Sequence, residues 1–164
     1  MNHLTLDVGE LFINRYKDVT AFLTCVELEE VLPFVLDKDC ISGRVKIKSG
    51  EPYDLILICC MSQKLANQIV SDMSEDTVNS QEDIMIYIRE YINIATGQAV
   101  STINNIIGKS ARFGIPEVQN EKIDISNEDK YESYTNVFFR SEYGEMILKV
   151  AYTIDDILEL AGRA

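Results

Sequence analysis

Histidine is nearly missing from this sequence: the only one is His3, close to the first residue. A serine–histidine hydrolase triad or a histidine-built zinc site therefore has almost no material to draw on. Cysteine is limited to Cys25, Cys40, Cys59 and Cys60, and none of them forms a C-x-x-C pair. Cys59 and Cys60 adjoin in an apolar run that reads as a strand, where neighbouring side chains point to opposite faces and cannot readily share a metal. All four read as reduced, small interior residues. No metal-ligand cluster, G-x-S-x-G or P-loop is present, so a conventional hydrolase or transferase finds little support. Basic residues are also few: 15 Lys and Arg against 27 Asp and Glu give a net charge of −12. An acidic surface without a basic stripe repels nucleic-acid backbones and anionic membrane surfaces, so neither is expected as a partner. No run of about 18 apolar residues occurs, so no membrane span is expected. The opening MNHLTLDVGELF has no basic flank followed by an apolar stretch, so the expected location is the cytoplasm.

What is present suits one globular domain over residues 1–164. Apolar residues are 46% of the chain, an ordinary globular share. A chain of this length can bury about two thirds of its unfolded surface. Residues 7–23 set Leu11, Phe12, Tyr16, Val19, Phe22 and Leu23 at helical spacing behind Asp7 as cap. TCVELEEV alternates as a short strand, with Glu27, Glu29 and Glu30 at a wet edge. CISGRVKIKSG alternates with one wet face, and YDLILICCM is continuously apolar, as a central strand covered on both faces would be. SQKLANQIVSDM reads as a short helix capped by Ser62 with Leu65, Ile69 and Met73 inward.

A long helix over roughly 81–107 follows the acidic linker SEDTVN. Ser80-Gln-Glu-Asp83 resembles a capping box, and Gly108 suits a left-handed C-terminal cap. Ile84, Ile88, Tyr91, Ile92, Ala95, Ala99 and Ile103 form its core stripe. A different face carries Ile86, Glu90, Asn93, Gly97 and Ser101. On composition alone Glu90 and Asn93 read as a solvated face. Gly97 stands out, because glycine costs about 1 kcal/mol relative to alanine inside a helix. Either something approaches the helix closely there, or the helix packs tightly on a strand. In the last third FGIPEVQNEKIDI reads as a strand. YTNVFFRSEYGEMILKVAYT reads as a hairpin turning at Ser141–Gly144, with Met146, Leu148, Val150 and Tyr152 on one face. TIDDILELAGRA reads as a short terminal helix capped by Thr153, with Asp155 and Asp156 as first-turn charges.

The stretch REYINIATGQAVSTIN, with Glu90, Asn93, Gly97 and Ala99, resembles the signature helix of the CheC/CheX family of chemotaxis phosphatases. The order of elements over roughly residues 40–152 is similar too, and the single E-x-x-N is more like CheX than CheC. The sequence departs from the family pattern at Ile86, usually Asp or Ser, and at Gln98, commonly Asn. The resemblance implies an α/β (α+β) fold with antiparallel hairpins packed on one long signature helix. It implies dephosphorylation of a CheY-type response-regulator receiver in chemotaxis or two-component signalling. Glu90 and Asn93 would be the catalytic pair, and Ile86, Gly97 and Gln98 would face the partner. The chain would bind no cofactor of its own, with Mg²⁺ held by the partner receiver. Two other readings stay open: a non-catalytic binding module of the same fold, which Ile86 favours, and an assembly protein. In the latter a homodimer would form through the C-terminal strands, with Tyr134, Phe138, Phe139 and Tyr152 at its interface.

Overall fold

The computed structural model describes residues 7–48, 50–74, 80–123 and 130–154. The expected terminal helix, with Asp155 and Asp156, lies outside the described residues, as do His3 and most of the acidic linker. Helix α1 spans Val8–Leu23, and the Asp7 side chain accepts a hydrogen bond from Glu10 N at 3.0 Å, as the cap reading requires. Strand β1 is Glu29–Glu30, β2 is Cys40–Lys46 and β3 is Asp54–Ser62. Helix α2 covers Gln63–Met73 and α3 covers Gln81–Ile107. Strands β4 (Glu117–Gln119), β5 (Ser133–Arg140) and β6 (Glu145–Thr153) complete the sheet.

The six strands form one antiparallel sheet in the order β1-β5-β6-β3-β2-β4. β3 is flanked by β6 and β2 and buried along nearly its whole length. Its residues alternate between two apolar layers. Leu55, Leu57, Cys59 and Met61 join the main core with residues of α1, α2 and α3. On the opposite face Cys60 packs with Leu36, Cys40 and Ile147, and Ile56 with Tyr131 and Ala151. Each such aliphatic side chain contributes about 1.5–3 kcal/mol on burial.

Four expectations are corrected. Cys25, expected inside, is exposed, whereas Cys40, Cys59 and Cys60 are buried. The strand expected over residues 113–125 shrinks to Glu117–Gln119, paired with β2, plus an isolated bridge between Ile47 and Phe113. Pro116, with no N–H to donate, adjoins this edge strand. TCVELEEV contributes only two paired residues, Glu29 and Glu30, at the other sheet edge. Phe22, placed in the buried stripe of α1, is 88% exposed. The buried position at the end of α1 is taken by Thr20, whose hydroxyl donates to Tyr16 O at 2.5 Å and meets the Tyr91 hydroxyl at 2.6 Å.

The C-terminal hairpin turns at Ser141–Gly144, where Ser141 N donates to Gly144 O at 2.8 Å. β6 has a neighbour on both sides, whereas β5 is covered on its outer side by β1 only at Phe139 and Arg140. Phe139 is fully buried, Phe138 stacks edge-on against Phe34, and Tyr134 remains half exposed.

Candidate functional site

Helix α3 is fixed along its inner face and at both ends. Ile88, Tyr91, Ile92, Ala95, Thr96, Ala99, Val100, Ile103 and Ile107 are buried, and Ile84 packs partly buried against them. Ile92 lies directly over Gly43 of β2, where an added Cβ would meet its Cδ1, so Ile92 would have to shift to admit a larger residue. Tyr16 and Thr96 hydroxyls meet at 3.0 Å and tie α1 to the same face. Burial pushes the Tyr16 and Tyr91 hydroxyls well above their ordinary value, with the nearby Cys59 adding to it, so both stay protonated and bridge the helices as neutral groups.

Ser80, Gln81 and Asn104 anchor the two ends of the helix. Ser80 Oγ accepts from Asp83 N at 3.1 Å, and Gln81 Nε2 donates to Gln63 Oε1 at 3.1 Å and to Asn120 Oδ1 at 2.6 Å. Asn104 Oδ1 accepts from Tyr53 Oη at 2.9 Å and from Ala111 N at 3.1 Å. Gly108 closes the helix at φ 72°, the left-handed cap expected of it.

The middle of the outer face differs. Glu90 and Asn93 are both exposed, one turn apart, and neither makes a hydrogen bond or ion pair among the described residues. Ile86, one turn before Glu90, is 52% exposed. Gly97, one turn after Asn93, is half-buried, and an added Cβ would meet only Phe113 Cζ, at an ordinary 3.6 Å. Nothing within the described chain therefore requires glycine at this position. Gln98 turns away from this row. It lines a groove toward α1 with Arg15, Asp18, Val19, Phe22, Leu23 and Ile94. Thus Ile86, Glu90, Asn93 and Gly97 stand together, and Gln98 borders them from the side.

Sequence reasoning passed over Arg89. It sits beside Glu90 and one turn before Asn93, half-buried, and its Nε is buried without a hydrogen-bond partner among the described residues. The signal available in the sequence was its i, i+4 spacing from Asn93.

An antiparallel sheet carrying one long helix thus presents a carboxylate and a carboxamide side by side on an exposed face. The family model described as "Chemotaxis phosphatase CheX" matches residues 41–139, well over half of the sequence. The chain belongs to the CheX family. A comparison with curated protein sequences finds no match. Solved structures repeat the fold. The chemotaxis protein CheX from Vibrio vulnificus is 17% identical with a TM-score of 0.74, covering 93% of this chain and 100% of its own. CheX from Desulfovibrio desulfuricans is 15% identical with a TM-score of 0.71, covering 90% and 100%. The CheX–CheY–BeF3–Mg²⁺ complex from Borrelia burgdorferi supplies a chain 16% identical with a TM-score of 0.67, covering 89% and 97%. Among the described residues no helix is long and apolar enough to cross a membrane.

Proposed function

We propose that this chain dephosphorylates the aspartyl phosphate of a CheY-type receiver domain in chemotaxis or two-component signalling, with Glu90 and Asn93 as the acting pair. The observation that carries the reading is their placement: they are exposed side by side, one turn apart, at the centre of the long helix, and neither is engaged by another described residue. Family membership supports it, and so does the Borrelia relative, whose solved structure holds CheX together with CheY, BeF3 and Mg²⁺.

The chemistry asks little of the chain beyond placement. Water attacks phosphorus in line with the aspartyl oxygen. The new P–O bond forms as the old one breaks, and the receiver's carboxylate leaves with the electron pair. A carboxamide both donates and accepts on one short side chain, so Asn93 holds the water in one orientation. Glu90 pairs with a lysine of the receiver's phosphorylation site and sets the register between the two proteins. Mg²⁺ belongs to the receiver's own carboxylates, where it offsets charge on the phosphoryl oxygens. Gly97 lets the partner backbone approach the helix.

The test incubates the protein with phosphorylated receivers and Mg²⁺ and follows loss of phosphate for wild type, Glu90→Ala and Asn93→Ala. An Asn93→Ala rate equal to wild type sinks the assignment. The exposed Ile86 favours a second reading, a module that binds the receiver without hydrolysis. Tight binding with an unchanged phosphate lifetime would establish that reading instead.

A further inference from the structure

Arginines in this acidic chain are claimed by carboxylates. Arg15 pairs with Asp18 at 3.4 Å, Arg44 with Glu117 at 2.6 Å, Arg112 with Glu51 at 3.0 Å and Arg140 with Glu145 at 3.8 Å. Arg89 is the exception among the described residues: it makes no ion pair and no hydrogen bond, although Glu90 is its neighbour in sequence. It is also half-buried, with Nε withdrawn from water and unpartnered. Holding a guanidinium partly desolvated without a counter-charge is unfavourable, and a net charge of −12 leaves no shortage of carboxylates elsewhere on the surface. Its position gives the cost a purpose. On α3 Arg89 is i to Asn93 at i+4, while Glu90 is i to Asn93 at i+3, so a cation and an anion flank the carboxamide on either side.

We propose that Arg89 is a phosphoryl-contact residue, its unclaimed guanidinium engaging the oxygens of the partner's aspartyl phosphate beside Asn93. The proposal rests on the phosphatase reading above and adds to it a charge carried by this chain. If Glu90 draws the receiver's lysine toward itself, the phosphoryl group loses part of a neighbouring positive charge. The planar fork of Arg89, which matches phosphate oxygens two at a time, replaces it. Arg89 forms and breaks no bond in the reaction; it stabilises negative charge on the transferring group. Its partly buried stem limits the side chain's freedom, so little ordering is needed when the receiver docks.

The experiment compares wild type, Arg89→Gln and Arg89→Met with Asn93→Ala in two assays. One follows hydrolysis of the phosphorylated receiver with Mg²⁺. The other measures affinity for the same receiver with and without beryllofluoride. Arg89→Met fills the space of the stem with an apolar chain, so it keeps the test open should Arg89→Gln fold poorly. The expected result is a hydrolysis rate lowered about tenfold or more in both variants, with weaker binding of the beryllofluoride-loaded receiver and unchanged binding of the unloaded one. Wild-type rate and wild-type preference for the loaded form would overturn the proposal. Equal weakening toward both forms would overturn it too, because Arg89 would then be reading a fixed carboxylate on the receiver. Failure of the phosphatase reading is seen separately, as a wild-type protein that hydrolyses nothing or an Asn93→Ala variant that hydrolyses normally. The loaded-to-unloaded affinity ratio still decides Arg89 in that case.

Discussion

Ile92 of α3 occupies the space that a side chain on Gly43 of β2 would need. The contact is one of those that seat the helix on the sheet, and Asn93 is the next residue along. The fold and the proposed chemistry therefore meet at one point.

Gly43→Ala is expected to lower stability by about 1–3 kcal/mol, the usual cost of forcing a methyl group into a packed interior. Chemical denaturation monitored by circular dichroism measures it. Because the helix must lift or Ile92 must change rotamer, hydrolysis by the folded fraction should fall as well.

Asn93→Ala should leave stability within about 0.5 kcal/mol of wild type, since the side chain is exposed and holds nothing in the described structure. Its effect should appear in turnover of the phosphoreceiver, with a loss of about a hundredfold, the scale of losing the placement of a reacting water. Thermal unfolding and a phosphate-release assay on the same preparation separate the two.

Gly97→Ala should move stability and function in opposite directions. The new methyl group meets only Phe113 at 3.6 Å, so the helix gains up to about 1 kcal/mol. The same methyl group obstructs a partner backbone, so receiver affinity should drop. A variant that is more stable and binds equally well would show that glycine has no role in docking.

High pH should unfold the protein earlier than surface charge alone would. Burial raises Tyr53 from 10.0 to about 12 and Cys40 from 9.0 to about 11, and pushes Tyr16, Tyr91 and Cys59 up well above their ordinary values. In each case the folded state keeps the proton longer than the unfolded chain. The stability these groups provide is full below about pH 9, where unfolded cysteine and then tyrosine begin to ionise. It declines as pH rises through 9 to 12. Denaturation midpoints taken from pH 8 to 11 should fall progressively, and Tyr53→Phe should flatten part of that slope.

Much of the architecture was readable in the sequence because its signals are local. Asp7, Ser62 and Ser80 each cap a helix through their own side-chain oxygen, and Gly108 ends α3 in the conformation only glycine adopts freely. The unbroken apolar run of β3 announced a strand covered on both faces. Buried polar residues were not readable. Thr20 and Thr96 are satisfied by tyrosines 71 and 80 residues away in sequence, respectively, so hydrophobic spacing assigned the inward position to Phe22 instead. The edge strands were overestimated because alternation in sequence does not reveal where a partner strand ends. Glu90 and Asn93 were identified through resemblance, and their lack of internal partners became visible only in three dimensions. Arg89 carries no motif of its own, and its buried, unpartnered Nε is visible only in three dimensions.

The separation of α3 into two faces has a consequence for how such chains diverge. Substitutions on the buried face are constrained by Gly43, by the tyrosine–threonine bridges and by the sheet beneath them. Ile86 and Gln98, by contrast, are exposed. The outer face can thus drift from one descendant to another while the scaffold stays fixed, and overall identity between two such chains would say almost nothing about whether their outer faces match.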